Sequence, residues 1–582
     1  MELWGHLSLR RRRQYGLLAA LMVFSALAEV VSLGAVLPFL GILVAPEKVF
    51  NQPIVAEISK SFGWVSPEQL VLPLTVGFIG VVFISGAIRM GLLWVNTRLV
   101  HVSGADLGIE AYRRTLYQPY QVHVAQNSSD VINGILGKIS VAVNVLTQVL
   151  TLVSSIILIC FITAALVTID TTVALIAISG FGVCYGVITL TFRHSLRRNS
   201  KTIAERGTQV LKALQEGLGG IRDVLLNGTQ PTYCKIYRDS DLPLRRAQAI
   251  NLFISSSPRF ALEALGMALI AVLAYGLSFQ EGGILEAIPV LGALALGAQR
   301  MLPALQMGYS AWTTILGNRS SLVDVIKLLD QPMMDDLSEP LSEPLTFTDT
   351  IYLNDVYFRY SDASPWVLEG VSLSISKGAR VGFVGPTGSG KSTAIDLLMG
   401  LLSPINGVLL VDGEPIEGKR VKAWQRTIAH VPQSIYLADS TITENIAFGV
   451  PKDQIDMDRV RQAAHQAHIA DFIESSAEGY SAVVGERGVR LSGGQRQRIG
   501  IARAFYKEAS VLVFDEATSA LDNATEKSVM AAIDELSADL TIIIIAHRLS
   551  TVKGCDVIVE LKNGKIAAQG SYEQIIEKSI LH

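Results

Sequence analysis

The hydrophobic pattern divides the chain into two unlike parts. Up to about residue 330, long apolar runs carry few charges, whereas later residues form short apolar runs separated by turns and helix-like segments. A membrane span needs roughly 20 mostly apolar residues. Six runs in the first part are long enough, at about 15–43, 70–97, 143–168, 171–193, 255–279 and 284–311. The pattern therefore predicts an all-α transmembrane domain of six helices, fused to a soluble α/β domain.

A segment rich in proline and acidic residues, 330–345, predicts a linker between the two parts. The transmembrane domain then occupies residues 1–329 and the α/β domain residues 346–582. The two long connections between spans, 98–142 and 194–254, keep helical periodicity. We therefore expect the spans to continue beyond the membrane as long helices.

Short helices are predicted across the ends of these extensions, near 120–132 and 215–225, where the helical pattern breaks. Lys and Arg are concentrated in the same connections and before the first span, and are scarce in the others. Because basic residues favour the cytoplasmic side, both termini are predicted to be cytoplasmic. For the outer segment 51–64, the pattern is equally compatible with an interfacial amphipathic helix and with a structured loop.

Charge and cysteine content exclude several classes of protein. The formal net charge is −3, which indicates no nucleic-acid partner. The four cysteines form no C-x-x-C pair, so neither a zinc site nor a disulfide framework is predicted. The first apolar run is far longer than that of a secretory signal.

One motif indicates nucleotide chemistry. The segment Gly385–Thr393 matches G-x-x-x-x-G-K-[ST] between a strand-like run, 379–384, and a helix-like run, 394–401. In such a loop the backbone N–H groups surround phosphates, the lysine reaches the β- and γ-phosphates, and the next hydroxyl binds Mg²⁺. The candidate nucleotide contacts here are Gly385, Thr387, Gly388, Ser389, Gly390, Lys391, Ser392 and Thr393, with Ser392 also a Mg²⁺ ligand.

Five further residues extend this site. Asp515 ends a buried strand and is a candidate Mg²⁺ ligand, and Glu516 beside it is a candidate general base. Gln433 is predicted to sense the γ-phosphate and to ligate Mg²⁺, His547 to contact the γ-phosphate, and Tyr360 to stack on adenine. Taken alone, Gln433, His547 and Tyr360 would each be interpreted as an ordinary surface or core residue. Their order around Lys391 and Asp515 favours a site for ATP and Mg²⁺.

Taken with Leu491–Gln495 and Ser519–Asp522, these motifs resemble those of ATP-binding cassette (ABC) proteins. With six spans ahead of the cassette, the chain is similar to type IV, MsbA-like half-transporters. The resemblance implies two cassettes stacked head to tail, and coupling helices near 120–132 and 215–225, one of them touched by Glu486. It also implies cross-subunit nucleotide contacts from Ser492, Gly493, Gly494 and Gln495, with Asp522 at the junction. Because no catalytic position is degenerate, a homodimer with two working sites is favoured; a heterodimer with a weaker partner chain is the alternative.

Three arginines inside apolar segments bear on the cargo: Arg89, Arg259 and Arg300. A charge within the membrane is costly and calls for a reason. An α-helix rises 1.5 Å per residue, which places all three arginines at a similar depth in the membrane, about 24–30 Å from the outer ends of their spans. They could bind a phosphate or pyrophosphate headgroup. Alternatively, they pair internally or reach the interface, since Arg259 and Glu263 are spaced i, i+4 and Glu29 is another partner.

The segments Ser257–Glu263 and Gln299–Pro303, with Arg89 and the outer segment 51–64, resemble PglK-type flippases of lipid-linked oligosaccharides. The resemblance implies that the arginines face a cavity and meet pyrophosphate, and that the outer segment meets a polyprenyl tail. An ATP-driven lipid flippase of the cytoplasmic membrane is therefore expected. The alternatives are an exporter of another amphiphile, such as lipid A, a drug or a peptide, and a non-pumping regulator.

Overall fold

A computed structural model describes residues 2–44, 47, 50, 55, 64, 66–169, 171–277, 301–333, 343–516, 531, 539–546 and 552–575. Two compact units are present. The first comprises Met1–Gln118 and Gln126–Met333, and the second comprises Pro119–Ala125 and Met334–His582. Among the predicted features, most of the outer segment 51–64 and of the sixth span lie outside the described residues, as do Arg300, Asp522 and His547.

The first unit is helical. Its longer helices are Leu9–Gly34, Val36–Val44, Val71–Leu116, Ile139–Ile169, Thr171–Gly219, Gln230–Ser256, Pro258–Leu277, 301–317 and Arg319–Leu329. Its shorter ones are Glu2–Gly5, Pro67–Leu70, Ser128–Ile132, Asn133–Lys138 (a π-helix) and Ile221–Leu226. Three helical segments of the described chain are long and apolar enough to cross a membrane, namely Leu9–Gly34, Pro67–Leu116 and Ser129–Ala165.

Two helices extend well beyond the thickness of a bilayer. Val71–Leu116 has 46 residues and Thr171–Gly219 has 49. At 1.5 Å per residue, each is about 70 Å long, against a hydrocarbon core of about 30 Å. The prediction that spans continue as long helices is confirmed. Short helices also occupy the places predicted for coupling helices, Tyr120–Ala125, Ser128–Ile132 and Ile221–Leu226.

The first predicted span is divided. Its helix ends at Gly34, and a second helix runs over Val36–Val44. Pro38 has no N–H to donate to the carbonyl of Gly34, so the helical hydrogen bond at that position cannot form. Pro38 therefore accounts for the break in the first span. The hydrophobic pattern alone does not predict this break, because proline counts there only as one more apolar residue.

The packed part of the first unit lies where four helices meet. Leu18, Leu107, Ile139 and Val325 are buried together, one from each of the helices that begin at Leu9, Val71, Ile139 and Arg319. Gly104 permits a close approach of the helices that begin at Val71 and Ile139, because a Cβ there would lie 2.3 Å from Cγ2 of Val143.

The second unit contains two sheets. The strands are β1 (Thr350–Phe358), β2 (Leu368–Ser376), β3 (Arg380–Val384), β4 (Asn406–Val411), β5 (Glu414–Pro415), β6 (Ile428–Val431), β7 (Val511–Asp515), β8 (Thr541–Ile545), β9 (Val557–Lys562) and β10 (Lys565–Gly570). One sheet has the order β2-β1-β4-β5 and is antiparallel. The other has the order β10-β9-β3-β8-β7-β6, in which β10 alone is antiparallel to its neighbour.

Helices cover the second sheet. They are Lys391–Leu398, Lys419–Thr427, Ile442–Ile446, Met457–Gln466, Ala470–Ser475 and Gly493–Tyr506, with 3-10 turns at Lys452–Gln454, Gly479–Ser481 and Glu486–Gly488; the short helix Tyr120–Ala125 also belongs to this unit. The middle strands are buried on both faces. In β7, Val511 and Val513 pack in one core, while Leu512 and Phe514 pack in the other. Continuous apolar runs such as this are typical of parallel strands covered on both sides.

Candidate active site

Four parallel strands bring the predicted site residues to one edge of the sheet. The glycine-rich loop follows β3, Gln433 lies just beyond β6, and Asp515 and Glu516 lie at the end of β7. Strands β3, β8, β7 and β6 are neighbours in that order, so these carboxyl ends lie side by side. His547 directly follows Ala546, beyond β8, but lies outside the described residues. Ligands of open α/β sheets bind at the carboxyl ends of the strands.

Glycines give the loop its shape. Gly385, Gly388 and Gly390 have φ values of 141°, 81° and 100°, which side-chain-bearing residues rarely adopt. A Cβ on Gly385 would lie 2.1 Å from the carbonyl oxygen of Leu561, and one on Gly390 would lie 2.9 Å from that of Val367. The loop leads into the helix Lys391–Leu398, whose first N–H groups have no partner within the helix and favour anions.

The Lys391 side chain lies folded against its own loop. It is 6% exposed, and its Nζ donates to the carbonyl oxygens of Gly385 at 2.8 Å and Pro386 at 3.0 Å. Burial lowers the pKa of Lys391, and the carboxylates of Glu516 and Asp515 partly offset that effect. A cation held here by neutral carbonyls is placed to interact with phosphates.

A hydrogen bond joins two of the predicted catalytic residues across the sheet. Nε2 of Gln433 donates to Oε2 of Glu516 at 2.6 Å. Glu516 has φ 49°, an uncommon conformation for a residue with a side chain, and its N–H donates to the carbonyl oxygen of Ile545. Backbone strain of this kind is concentrated at functional sites.

Asp396, in the helix that follows the glycine-rich loop, lies within electrostatic reach of Asp515 and is not among the residues that the sequence motifs indicate. Burial, helped by the charge of Asp515, raises its pKa to about 6. The available signal was its position one helical turn after Ser392, which places both residues on one face of the helix. This carboxyl therefore takes up a proton at a higher pH than an ordinary aspartate does, because burial and a second negative charge near Asp515 are both unfavourable.

The side chains fit ATP and Mg²⁺. Oγ of Ser389 is buried and has no hydrogen-bond partner among the residues that the structure describes. A buried hydroxyl normally has one, and a phosphate oxygen in the glycine-rich loop would supply it. Ser392, Gln433 and Asp515 offer hydroxyl, amide and carboxylate oxygens, the donors that Mg²⁺ takes together with substrate phosphates.

Tyr360 lies beside the loop. Its hydroxyl is 3.2 Å from Oγ1 of Thr393, and its ring packs edge-on against Phe358 with 5.1 Å between centroids. The residue is 39% exposed, so part of the ring is open to a ligand. Gln121, in the short helix Tyr120–Ala125, donates from Nε2 to the carbonyl oxygen of Tyr360 at 2.9 Å. This contact was not predicted, because nothing local in the sequence relates residues so far apart.

Replacing Tyr360 separates the two contributions of this side chain. In Tyr360→Phe the aromatic face remains and only the bond to Thr393 is lost, so the KM for ATP should change less than threefold. In Tyr360→Ala the stacking surface is lost, and stacking of a base is worth about 1–3 kcal/mol, so KM should rise at least about fivefold. Steady-state ATPase assays of the full chain measure both. Equal effects of the two variants would contradict adenine stacking.

The predicted cross-subunit segment forms the exposed start of a largely buried helix. Ser492 caps the helix Gly493–Tyr506: its Oγ accepts from the N–H of Gln495, and its own N–H donates to Oε1 of Gln495 at 2.8 Å. Ser492 and Gly493 are exposed. The cap uses the N–H of Gln495, so the N–H groups of Gly493 and Gly494 are those left without a partner within the helix, and they favour an anion.

In the helical unit, two of the three predicted arginines are paired with acids. Nη1 of Arg89 donates to Oε1 of Glu29 at 2.9 Å, and Nε of Arg259 donates to Oε1 of Glu263 at 2.7 Å. Arg89 lines a cavity of about 640 Å³ and Arg259 one of about 200 Å³, and both cavities are bordered by Pro303 and Met307. The two arginines thus lie in neighbouring spaces, each neutralised by a carboxylate.

Two family models match the chain. The ABC transporter transmembrane region matches residues 16–291, and the ABC transporter model itself matches residues 368–519. An ATP-dependent lipid A-core flippase from Hahella chejuensis is 30% identical over 68% of this chain and 67% of its own length. The chain belongs to the ABC transporter family. It therefore couples ATP hydrolysis to transport across a membrane, as predicted.

Other comparisons extend the ABC transporter match to almost the whole chain. An ATP-dependent lipid A-core flippase from Cupriavidus metallidurans is 29% identical over 93% of this chain and 91% of its own. The structure of a bacterial Atm1-family ABC exporter with ATP bound is 26% identical, has a TM-score of 0.78, and covers 98% of this chain and 96% of its own. These matches confirm the predicted fold class, a helical transmembrane domain fused to a P-loop cassette.

Proposed function

We propose that this ABC transporter is a homodimeric flippase that moves an anionic amphiphilic lipid across the cytoplasmic membrane, with both termini cytoplasmic. The cargo we propose is a polyprenyl-pyrophosphate-linked oligosaccharide or a related glycolipid. The observation that supports this most is the placement of Arg89 and Arg259, each bordering a cavity inside the membrane unit. Arginine within a membrane is costly, and a binding role for an anion accounts for its presence there.

The surroundings of the arginines favour a lipid phosphate. The planar guanidinium binds two phosphate oxygens at once. The same cavities are bordered by apolar side chains, including Leu33, Val82 and Leu158 in one and Leu262 in the other, which suit an acyl or prenyl chain. Arg300, as a third headgroup residue, and segment 51–64, as a tail contact, remain predictions.

A second candidate cargo is lipid A-core. The name of the relatives from Hahella chejuensis and Cupriavidus metallidurans supports it. Both candidates are amphiphilic lipids, and the experiment below separates them.

At the nucleotide, we assign roles according to the contacts above. The glycine-rich loop and Lys391 bind the phosphates of the substrate ATP, and Tyr360 stacks on its adenine. Bound Mg²⁺, held by Ser392, Gln433 and Asp515, would neutralise charge on the phosphates. Glu516 accepts the proton of the attacking water, and Gln433 keeps the Glu516 carboxylate in place through its 2.6 Å hydrogen bond. His547 would contact the γ-phosphate.

The second subunit completes each site. Ser492, Gly493, Gly494 and Gln495 of one copy close on the nucleotide bound at Lys391 of the other, with Asp522 at the junction. Exposure of Ser492 and Gly493 in the single chain supports this role. The short helices near 120–132 and 215–225 transmit cassette closure to the membrane helices, which then open the cavity outward.

Stimulation of ATP hydrolysis by defined lipids tests the cargo. In nanodiscs, a polyprenyl-pyrophosphate-linked oligosaccharide should raise the ATPase rate severalfold, whereas the uncharged polyprenol should not. The double variant Arg89→Gln, Arg259→Gln should lose the stimulation. Stimulation by lipid A-core alone would reassign the cargo, and equal stimulation by charged and uncharged lipids would contradict an anionic cargo.

A further inference from the structure

The larger of the two cavities described above contains a charged pair of unequal exposure. We call it the Arg89 cavity; its lining includes Ser25, Glu29, Ser32, Arg89, Ser154 and Ser155. Its volume of about 640 Å³ is within the usual range for ligand pockets. The Arg89 side chain is 47% exposed, whereas that of Glu29 is 9% exposed. The cation is therefore open to a ligand, while its carboxylate partner is enclosed by protein.

The hydrogen bonding of Arg89 leaves capacity for a second anion. Within the described part of the chain, Arg89 makes one side-chain hydrogen bond, from Nη1 to Glu29. A guanidinium has five N–H donors in a fork that suits two oxygens. A single contact to one carboxylate oxygen leaves most of that fork unused.

Serine side chains line the Arg89 cavity alongside its apolar residues. Ser25, Ser32 and Ser155 are buried and border the same cavity. Hydroxyl groups donate to phosphate oxygens. Without a ligand, Glu29 neutralises Arg89 and lowers the cost of a charge inside the membrane. With a bound phosphate, the two anions compete for one guanidinium.

From this arrangement we infer that Glu29 is a resident counter-ion that a lipid phosphate displaces from Arg89, so that Glu29 sets how tightly the transporter holds its cargo. The inference rests on the proposed function, because it takes the cargo to be a lipid phosphate. Competition from Glu29 weakens the binding of the lipid to Arg89 and favours its release. A transporter must release its cargo as well as bind it. Glu29 is thus a specificity-determining residue: it excludes weak anions that cannot displace it.

The test is the affinity of the full chain in nanodiscs for a fluorescent polyprenyl pyrophosphate. Glu29→Gln removes the competing charge but keeps the side chain's shape, and should lower Kd roughly tenfold, the value of one charge-assisted hydrogen bond. Arg89→Gln should raise Kd by a similar factor. In the double variant Arg89→Gln, Glu29→Gln, the Kd should equal that of Arg89→Gln alone. Without the guanidinium of Arg89, removing the competing carboxylate cannot strengthen lipid binding.

Controls separate this effect from general loss of charge. Glu110 lies on the same helix as Arg89 and pairs with Arg114 at 2.7 Å, away from the Arg89 cavity. Glu110→Gln should leave Kd unchanged. The affinity of Glu29→Gln for inorganic pyrophosphate should be lower than its affinity for the lipid. Equal affinities would show that the site recognises free phosphate instead of a lipid headgroup.

The outcomes are distinct. If the native chain binds the lipid and folded Glu29→Gln binds it no more tightly, the counter-ion role is overturned. The Arg89–Glu29 pair would then be structural. A gain in the double variant equal to that in Glu29→Gln would also overturn it. No lipid binding by either the native chain or Glu29→Gln would overturn the proposed function as well.

Discussion

Glu516→Gln should bind ATP with near-native affinity and lower the hydrolysis rate about 10²–10⁴-fold, the usual contribution of a general base. Glutamine has the same shape and tolerates φ 49° as well as glutamate does, so the loop geometry and the contact with Gln433 are expected to persist. What is lost is the carboxylate that accepts a proton from water. The stalled chain should accumulate as an ATP-bound dimer with closed cassettes.

Single-turnover hydrolysis and nucleotide binding measure this directly. A matched control is Glu508→Gln, which removes an exposed carboxylate paired with Arg459 at 3.2 Å in the same cassette. Its kcat should stay within about twofold of native, since exposed ion pairs contribute little. If Glu516→Gln retained native turnover, another group would have to be the base.

Lys391→Ala should lose nucleotide binding itself. The side chain is buried beside Asp515 and Glu516, and its Nζ donates to the loop carbonyls of Gly385 and Pro386. Removing the cation leaves the two carboxylates to repel the phosphates. A charge-assisted contact is worth about 1.5–3 kcal/mol, so the Kd for ATP should rise at least tenfold and ATPase activity should fall below detection.

Equilibrium binding of a fluorescent ATP analogue provides the measurement. Lys565→Ala is the control, because Lys565 is an exposed lysine of the same cassette, paired with Glu369 at 3.1 Å. That variant should bind ATP as the native chain does. Native affinity in Lys391→Ala would remove Lys391 from the phosphate site. The two active-site variants also differ from each other, since only Glu516→Gln should bind ATP without hydrolysing it.

Local features of this site could be predicted from sequence, whereas contacts between distant segments could not. The strand, loop and helix around Gly385–Thr393 follow from glycine spacing, and the structure has β3 at Arg380–Val384 and a helix at Lys391–Leu398. The bond from Gln433 to Glu516 joins residues 83 apart. It depends on the strand order β8-β7-β6, which no local pattern specifies.

The membrane unit shows the same limit. Periodicity and length indicated long helices, and the structure has them at Val71–Leu116 and Thr171–Gly219. Depth along a span follows from counting residues, but the direction of a side chain around the helix depends on its neighbours. For that reason the sequence left open whether Arg89 meets Glu29 or a ligand, and the structure shows it bonded to Glu29 while bordering a cavity.

The central claim, ATP-driven movement of an anionic lipid, is tested most directly by flipping in proteoliposomes. A labelled polyprenyl-pyrophosphate-linked oligosaccharide would be followed across the bilayer with ATP, in parallel for the native chain and Glu516→Gln. The account predicts ATP-dependent flipping by the native chain and none by the variant. Vigorous ATP hydrolysis without flipping of this lipid or of lipid A-core would contradict it.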